Sequence, residues 1–352
     1  MPVGFPTKVN YATGDVLSAA NMNDLSGTVN LLESAQYAAG KNKIINGDFG
    51  IWQRGTSFTN LISGTYTVDR WNAITSNTTI DVTRSSFSPG TAPVSGYESS
   101  FFATIAVEAT DTDARFQQLI EDVRTFAGQT ITISFWAKSN VTTDALRWIR
   151  VQQAFGGGGS PSANVNTDSS AITLTSSWTR YSVTVAVPSI SGKTIGTTSS
   201  GYLGIGFGLK ASTAQTLDLW GVQVEAGSTA SPFQTATGTK QGELAACQRY
   251  FQKTNNQTEV PGAAPSVTPI NALNASSTLV VGIPPFKVNM RTGPTVVLYS
   301  ASTGASGKIR SGGADVTATA ADVGEYSIGY ISATGLVSGS NSTVTFTASA
   351  EL

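Results

Sequence analysis

The segment GQTITISFWAK, residues 128–138, decides the fold class of this chain. Apolar and polar residues alternate along it, and this period of two is typical of a β-strand with two different faces. Phe135 and Trp136 are neighbours, so their side chains must point to opposite faces of the strand. One of the two rings is therefore expected to leave the core.

The same alternation recurs at residues 181–187 and at residues 203–209, where glycines separate the apolar positions. Turn residues divide the region 41–235 into roughly eight to ten such strands, which predicts an antiparallel jelly-roll β-sandwich. Six side chains are expected to point inward: Ile133, Phe135, Val183, Val185, Ile205 and Phe207. Residues 236–352 are predicted to form a smaller C-terminal β domain. Near its start, residues 243–253 (ELAACQRYFQK) are predicted to form a short helix that passes into a strand. The predicted fold class is thus mainly β.

Residues 1–40 form a separate N-terminal segment with a short predicted helix. Ser18 is a plausible N-cap, and four apolar residues follow it at 3-4-3 spacing: Met22, Leu25, Val29 and Leu32. This stripe fits a helix that packs on its own chain, and it fits equally a short parallel coiled coil that joins several chains.

The composition excludes several function classes. The 352 residues carry a formal net charge of -1, which provides no field to attract nucleic acid. There is no histidine, so Ser-His-Asp catalysis is impossible, and a single cysteine, Cys247, permits neither an intrachain disulfide nor a cysteine-rich zinc site. No apolar run approaches the roughly 20 residues of a membrane span. The first residues lack the pattern of a signal peptide, so we expect synthesis in a cytoplasm.

Several scattered motifs occur together along the chain. They are KIINGDFGIWQRGTSF (43–58), TYTVDRW (65–71), QLIED (118–122), GQTITISFWAK (128–138), WGVQVEAGSTASPF (220–233) and LAACQRYF (244–251). In combination they resemble a family of phage tail and virion structural proteins that contain a jelly roll similar to carbohydrate-binding modules. The resemblance implies a tail fibre or tail-associated protein of the virion that contributes to host attachment. It also implies a homotrimer. Residues 1–40 are too short for a core of their own, so we expect them to attach the chain to other tail or baseplate proteins.

A glycan-binding role requires exposed aromatic rings beside polar groups, because a sugar stacks its apolar face and hydrogen-bonds through its hydroxyls. The candidate platforms are Trp136, Trp148 and Tyr202. For any one aromatic residue, burial in the core or against a loop is the more frequent role. A purely structural virion protein that binds no glycan therefore remains an alternative.

No cofactor is expected to be required, although the resemblance implies a structural calcium ion between the first and last strands. Asp48 in NGDF and Asp218 in TLDLWGV occupy the matching positions, and carboxylates suit calcium. Related sugar-binding modules commonly have glutamate directly after NGDF, whereas this chain has Gly50. Asp48 would then simply cap its turn.

An enzyme would have to rely on paired carboxylates, as in a tailspike-type polysaccharide depolymerase. Glu121 and Asp122 are adjacent, so on a strand they would face opposite sides, and Asp111 and Asp113 lie in a polar turn. No repeat of the kind that builds a parallel β-helix is visible. The sequence therefore predicts a protein that is not an enzyme.

Overall fold

The computed structural model describes residues 40–76, 79–109, 113–210, 212–266 and 268–352. The predicted N-terminal helix and its apolar stripe lie outside these residues. Within them, the chain is mainly β, with three antiparallel sheets and one short helix. None of the helices in the described ranges is long and apolar enough to cross a membrane.

Two sheets form the first module. Sheet I contains, in spatial order, β1 (Ser57–Leu61), β4 (Ile80–Ser86), β5 (Phe101–Val107), β12 (Gln215–Ala226), β7 (Thr130–Ser139) and β10 (Thr179–Ala186). Sheet II contains β2 (Thr65–Tyr66), β3 (Trp71–Ile74), β6 (Arg115–Glu121), β11 (Tyr202–Leu209), β8 (Leu146–Ala154) and β9 (Val165–Asp168). The chain crosses repeatedly from one sheet to the other, which is the connectivity of a jelly-roll sandwich. The predicted fold class is confirmed.

The core of the sandwich lies between sheets I and II. Five of the six side chains predicted to point inward are buried there, and Val183 packs against the same core while partly exposed because β10 is an edge strand. Trp71 lies at the centre, with its ring centroid 5.2 Å from that of Phe49 and 5.1 Å from that of Phe116. Aromatic pairs at these separations add stabilisation beyond the area that they bury.

The chain enters and leaves the sandwich at the same place. The backbone N–H of Gly40 donates to the carbonyl of Ala236 over 2.6 Å. The buried Asn42 side chain donates to the carbonyls of Val222 and Gln234 over 3.1 and 2.9 Å. These bonds satisfy backbone groups that would otherwise be buried without partners, and they hold the two ends of the module side by side.

The second module begins with helix α1 (Lys240–Gln248), whose N-cap hydroxyl on Thr239 accepts a hydrogen bond from the N–H of Gly242. The helix starts three residues before the predicted one. Sheet III follows with β13 (Phe251–Lys253), β14 (Ile270–Asn274), β15 (Leu279–Val281), β16 (Thr295–Ser300), β17 (Lys308–Ser311), β18 (Ala314–Val323), β19 (Ile328–Ala333) and β20 (Asn341–Ser349). Strand β20 pairs with both β14 and β17, which closes the sheet into a small barrel around its own core.

Buried ionic contacts join the two modules. The guanidinium group of Arg70, after β2, donates to the Glu351 carboxylate and, over 2.6 Å, to the carbonyl of Leu119. Arg54 also pairs with Glu351, at 2.8 Å. Burial is the largest single influence on the pKa of Arg70 and lowers it, but Glu351 together with Tyr250 and other neighbouring groups outweighs burial, so the net pKa is raised. The predicted domain boundary at residue 235 stays a prediction. The two modules are joined by the ion pairs of Arg54 and Arg70 with Glu351.

Candidate functional site

The outer face of sheet II is shaped by a strand that alternates glycine with apolar residues. The apolar side chains of β11 enter the core, so Gly204, Gly206 and Gly208 face outward. Side chains from the flanking strands close over this strip. A Cβ atom on Gly204 would lie 3.4 Å from the ring of Tyr202, and one on Gly208 would lie 2.6 Å from the ring of Trp148. Gly208 therefore lets the Trp148 ring lie directly on the backbone, whereas a Cβ at position 204 would make only ordinary contact with the Tyr202 ring.

Tyr202 and its neighbours form the accessible part of this face. The ring of Tyr202 is partly exposed, and its hydroxyl donates to Gln152 Oε1 over 3.0 Å. The amide of Gln152 in turn donates to Asn166 Oδ1 over 2.9 Å. Burial raises the pKa of Tyr202, so the hydroxyl remains a neutral donor at physiological pH. An aromatic ring beside amide groups offers both apolar contact and hydrogen bonds to one ligand.

Trp148 lies on the same face but is covered. The guanidinium groups of Arg150 and Arg147 lie 4.2 and 5.2 Å from its ring centroid. Arg150 is fixed by two hydrogen bonds of 2.7 Å to Asp168, which raise its pKa despite partial burial. Trp148 is therefore buried in this arrangement, and it supports the Arg150 guanidinium group rather than offering a free ring face.

Trp136 lies on the opposite side of the sandwich, on the outer face of sheet I. Its neighbour Phe135 lies in the core. The two rings therefore point to opposite faces of the strand, as predicted from the alternation. However, Trp136 is buried, because its ring packs against Trp220 at 5.3 Å and Phe233 at 6.1 Å between centroids, with Arg180 4.7 Å above it. The structure thus places Trp148 and Tyr202 on the same face but at opposite ends of β11, because Trp148 lies beside Gly208, about 20 Å along the strand from Tyr202. Trp136 lies on the other sheet.

Asp48 and Asp218 do not fit a shared calcium site. Asp218 Oδ2 already pairs with the ammonium of Lys138 at 3.2 Å, and its Oδ1 accepts the Thr104 hydroxyl at 2.6 Å. Asp48 accepts the Tyr97 hydroxyl at 3.1 Å and lines a separate cavity of about 400 Å³ that Asp218 does not reach. No group of three or more candidate metal-binding side chains occurs in the described ranges. Asp48 also accepts a hydrogen bond from the N–H of Gly50 over 3.3 Å. This is the contact expected of a side chain that caps its turn.

The adjacent carboxylates Glu121 and Asp122 serve different contacts. Glu121 accepts hydrogen bonds from Arg249 and from the hydroxyl of Tyr250, whereas Asp122 has a positive φ of 72° and binds Arg124 in a turn. They do not face a common space. Asp111, the partner of Asp113 in the other pair, lies outside the described residues. The absence of enzymatic activity stays a prediction.

Sequence reasoning missed the amide side chains on sheet II. Gln117 and Gln152 flank the glycine strand on β6 and β8. A signal was present, because each amide alternates with core residues along its strand and therefore had to face away from the core. Glutamine is common on any exposed strand, so alternation alone does not single these two out.

No family model matches the chain, and no curated protein matches it. Solved structures with some similarity include the enzymatically active domain of tailspike protein 4 from bacteriophage CBA120, at 17% identity and a TM-score of 0.33. The match covers 53% of this chain but only 21% of that tailspike chain. The others include two carbohydrate-binding modules. The family 11 module of a Clostridium thermocellum cellulase has 13% identity, a TM-score of 0.29, and coverage of 49% of this chain and 97% of that one. The xylan-binding CBM22-1 domain from Paenibacillus barcinonensis has 12% identity, a TM-score of 0.30, and coverage of 50% and 99%. At these values the similarities carry no argument about function.

Proposed function

We propose that this protein is a non-enzymatic tail fibre or tail-associated protein of a phage virion, and that its jelly roll binds glycans of the host surface. The observation that carries the binding proposal is the outer face of sheet II, where the partly exposed Tyr202 ring lies beside the Gln152 and Asn166 amides. The phage assignment is supported by the sequence motifs that resemble virion proteins.

The chemistry of this face suits a saccharide. A sugar ring has an apolar face, which can stack on the ring of Tyr202, and equatorial hydroxyls, which can bond to the amides. The charges near Tyr202 have partners within the protein, since Arg150 binds Asp168 at 2.7 Å and Arg115, whose charge acts on Tyr202, lies 4.0 Å from Asp113. A neutral, polyhydroxylated ligand therefore gains contacts there without breaking a strong ion pair.

Replacing Tyr202 with alanine is expected to weaken glycan binding at least about tenfold, because the stacking surface and one bridging hydroxyl are lost together. The measurement is a glycan array of bacterial envelope polysaccharides probed with the full chain, followed by titration of the best binder. Tyr326→Ala, which removes an exposed ring in the second module, serves as the matched control and should leave the affinity unchanged. If the unmodified protein binds no envelope polysaccharide, the purely structural role is favoured over glycan binding.

The second part of the proposal is assembly. We expect a homotrimer, made in the host cytoplasm and attached to other tail or baseplate proteins through residues 1–40. The apolar stripe from Met22 to Leu32 supports this, since such a stripe gathers parallel chains when it faces its copies. Multi-angle light scattering of the purified chain should give three times the mass of one chain. A single-chain mass over a wide range of concentrations would contradict the trimer.

A further inference from the structure

The outer face of sheet I carries a row of polar side chains across four adjacent strands. The Ser85 and Thr104 hydroxyl oxygens lie 2.8 Å apart, and Thr104 donates to Asp218 over 2.6 Å. Asp218 pairs with Lys138 over 3.2 Å. Strand register places the last three side by side, because Asp218 pairs with Thr104 on β5 and with Lys138 on β7. We call these four residues the polar row.

The aromatic side chain of Trp178 lies at the Lys138 end of the polar row. Trp178 is partly exposed and directly precedes Thr179, whose backbone pairs with Ala137 of β7. Its ring lies 5.4 Å from that of Phe87 and 5.1 Å from that of Phe102, which fix its orientation. The Lys138 ammonium lies 5.4 Å from the Trp178 centroid, so the ring and the polar row form one surface.

Hydrogen-bonding capacity remains unused in the polar row. A lysine ammonium has three donors and a carboxylate has about four acceptor positions, whereas Lys138 and Asp218 each use only part of theirs in these contacts. Both side chains remain open to solvent, with exposures of 32% and 17%. Their charges cancel. The surface therefore offers donors, acceptors and an aromatic ring without a net charge.

We propose that the polar row and Trp178 form a second saccharide-binding site, specific for neutral oligosaccharides, on the opposite side of the jelly roll from Tyr202. This inference rests on the proposed glycan-binding function. A sugar ring would stack on Trp178, while its hydroxyls bond to Lys138 and Asp218. Two sites on opposite faces would let each chain hold two glycan strands, which raises avidity on a dense surface.

The test is isothermal titration of the full chain with soluble neutral oligosaccharides: cellotetraose, xylotetraose, β-1,4-galactotriose and a mixed-linked β-1,3-1,4 tetrasaccharide. We expect two ligands per chain for the unmodified protein. Trp178→Ala should reduce this to one, and so should Tyr202→Ala, while the double variant should bind none. Lys138→Gln leaves the Trp178 ring in place and should weaken only the Trp178 site, which distinguishes a lost contact from misfolding of the alanine variant.

The outcomes separate the two sites. One ligand per chain, lost in Tyr202→Ala and kept in Trp178→Ala, overturns the second site and leaves the proposed function in place. One ligand, lost in Trp178→Ala and kept in Tyr202→Ala, supports the sheet I site and overturns the assignment to sheet II. Failure of all four probes to bind at millimolar concentration overturns the second site as stated, while the envelope polysaccharide array still tests the proposed function separately.

Discussion

Replacing Glu351 with alanine should lower the free energy of unfolding by about 3–5 kcal/mol, which is the usual cost of breaking a buried ion pair from one side. Arg70 is 1% exposed, and its guanidinium lies 3.4 Å from the centroid of the Tyr250 ring. Without Glu351, this positive charge would remain buried with only the Leu119 carbonyl and the aromatic ring to stabilise it. Arg54 would lose the same partner.

Urea denaturation of the full chain measures this effect, and limited proteolysis shows whether the two modules separate first. The matched control is Glu325→Ala, which removes an exposed glutamate from the same module and should change the stability by less than about 0.5 kcal/mol. If Glu351→Ala is no less stable than this control, the buried contact does not hold the modules together.

The second large effect concerns pH and the buried Lys253 of β13. Burial lowers the pKa of Lys253 to about 8 from an ordinary value of 10.5, despite the nearby charge of Asp69. The folded protein therefore binds fewer protons than the unfolded chain between about pH 8 and 10.5. Stability contributed by this residue rises with pH in that window, by roughly 3 kcal/mol in total. Below pH 8 the full penalty of the buried charge is present.

Lys253→Met removes this titration, so its stability relative to the unmodified protein should fall as the pH rises from 7 to 10. Comparing the two proteins cancels the groups that they share, such as Tyr66, whose pKa is raised to about 12 by burial, and the buried Cys247. A constant difference between the Lys253 variant and the unmodified protein across this range would refute the assignment.

Much of the fold could be predicted because the alternation along β7 and β11 reports directly which side chains face the core. Period-two alternation depends only on local backbone geometry, so it can be recognised in the sequence without knowing which strands pair. The closure of sheet III could not be predicted in this way. It depends on β20 pairing with strands far away in the sequence, and those pairings leave no local signature.

The candidate site was predicted less completely. Alternation correctly placed Trp136 outside the core, but it could not show that Phe233 and Arg180 cover the ring. Similarly, the position of Asp218 in its motif suggested a metal ligand, whereas Lys138 on the neighbouring strand supplies the positive charge. Both discrepancies have one physical cause. A side chain's accessibility is determined by neighbours that the fold brings from other parts of the chain.

The adjacent ends of the sandwich have a consequence for how such proteins evolve. Gly40 and Ala236 are joined by a backbone hydrogen bond, so the chain enters and leaves the jelly roll at neighbouring positions. Modules with this geometry can be inserted into or removed from a host protein without displacing the flanking segments. Recombination that exchanges residues 41–235 would thus replace the surfaces of sheets I and II while leaving the remaining segments of the chain unchanged. Both outer faces would change in a single genetic step, provided that the incoming module keeps a partner for Glu351.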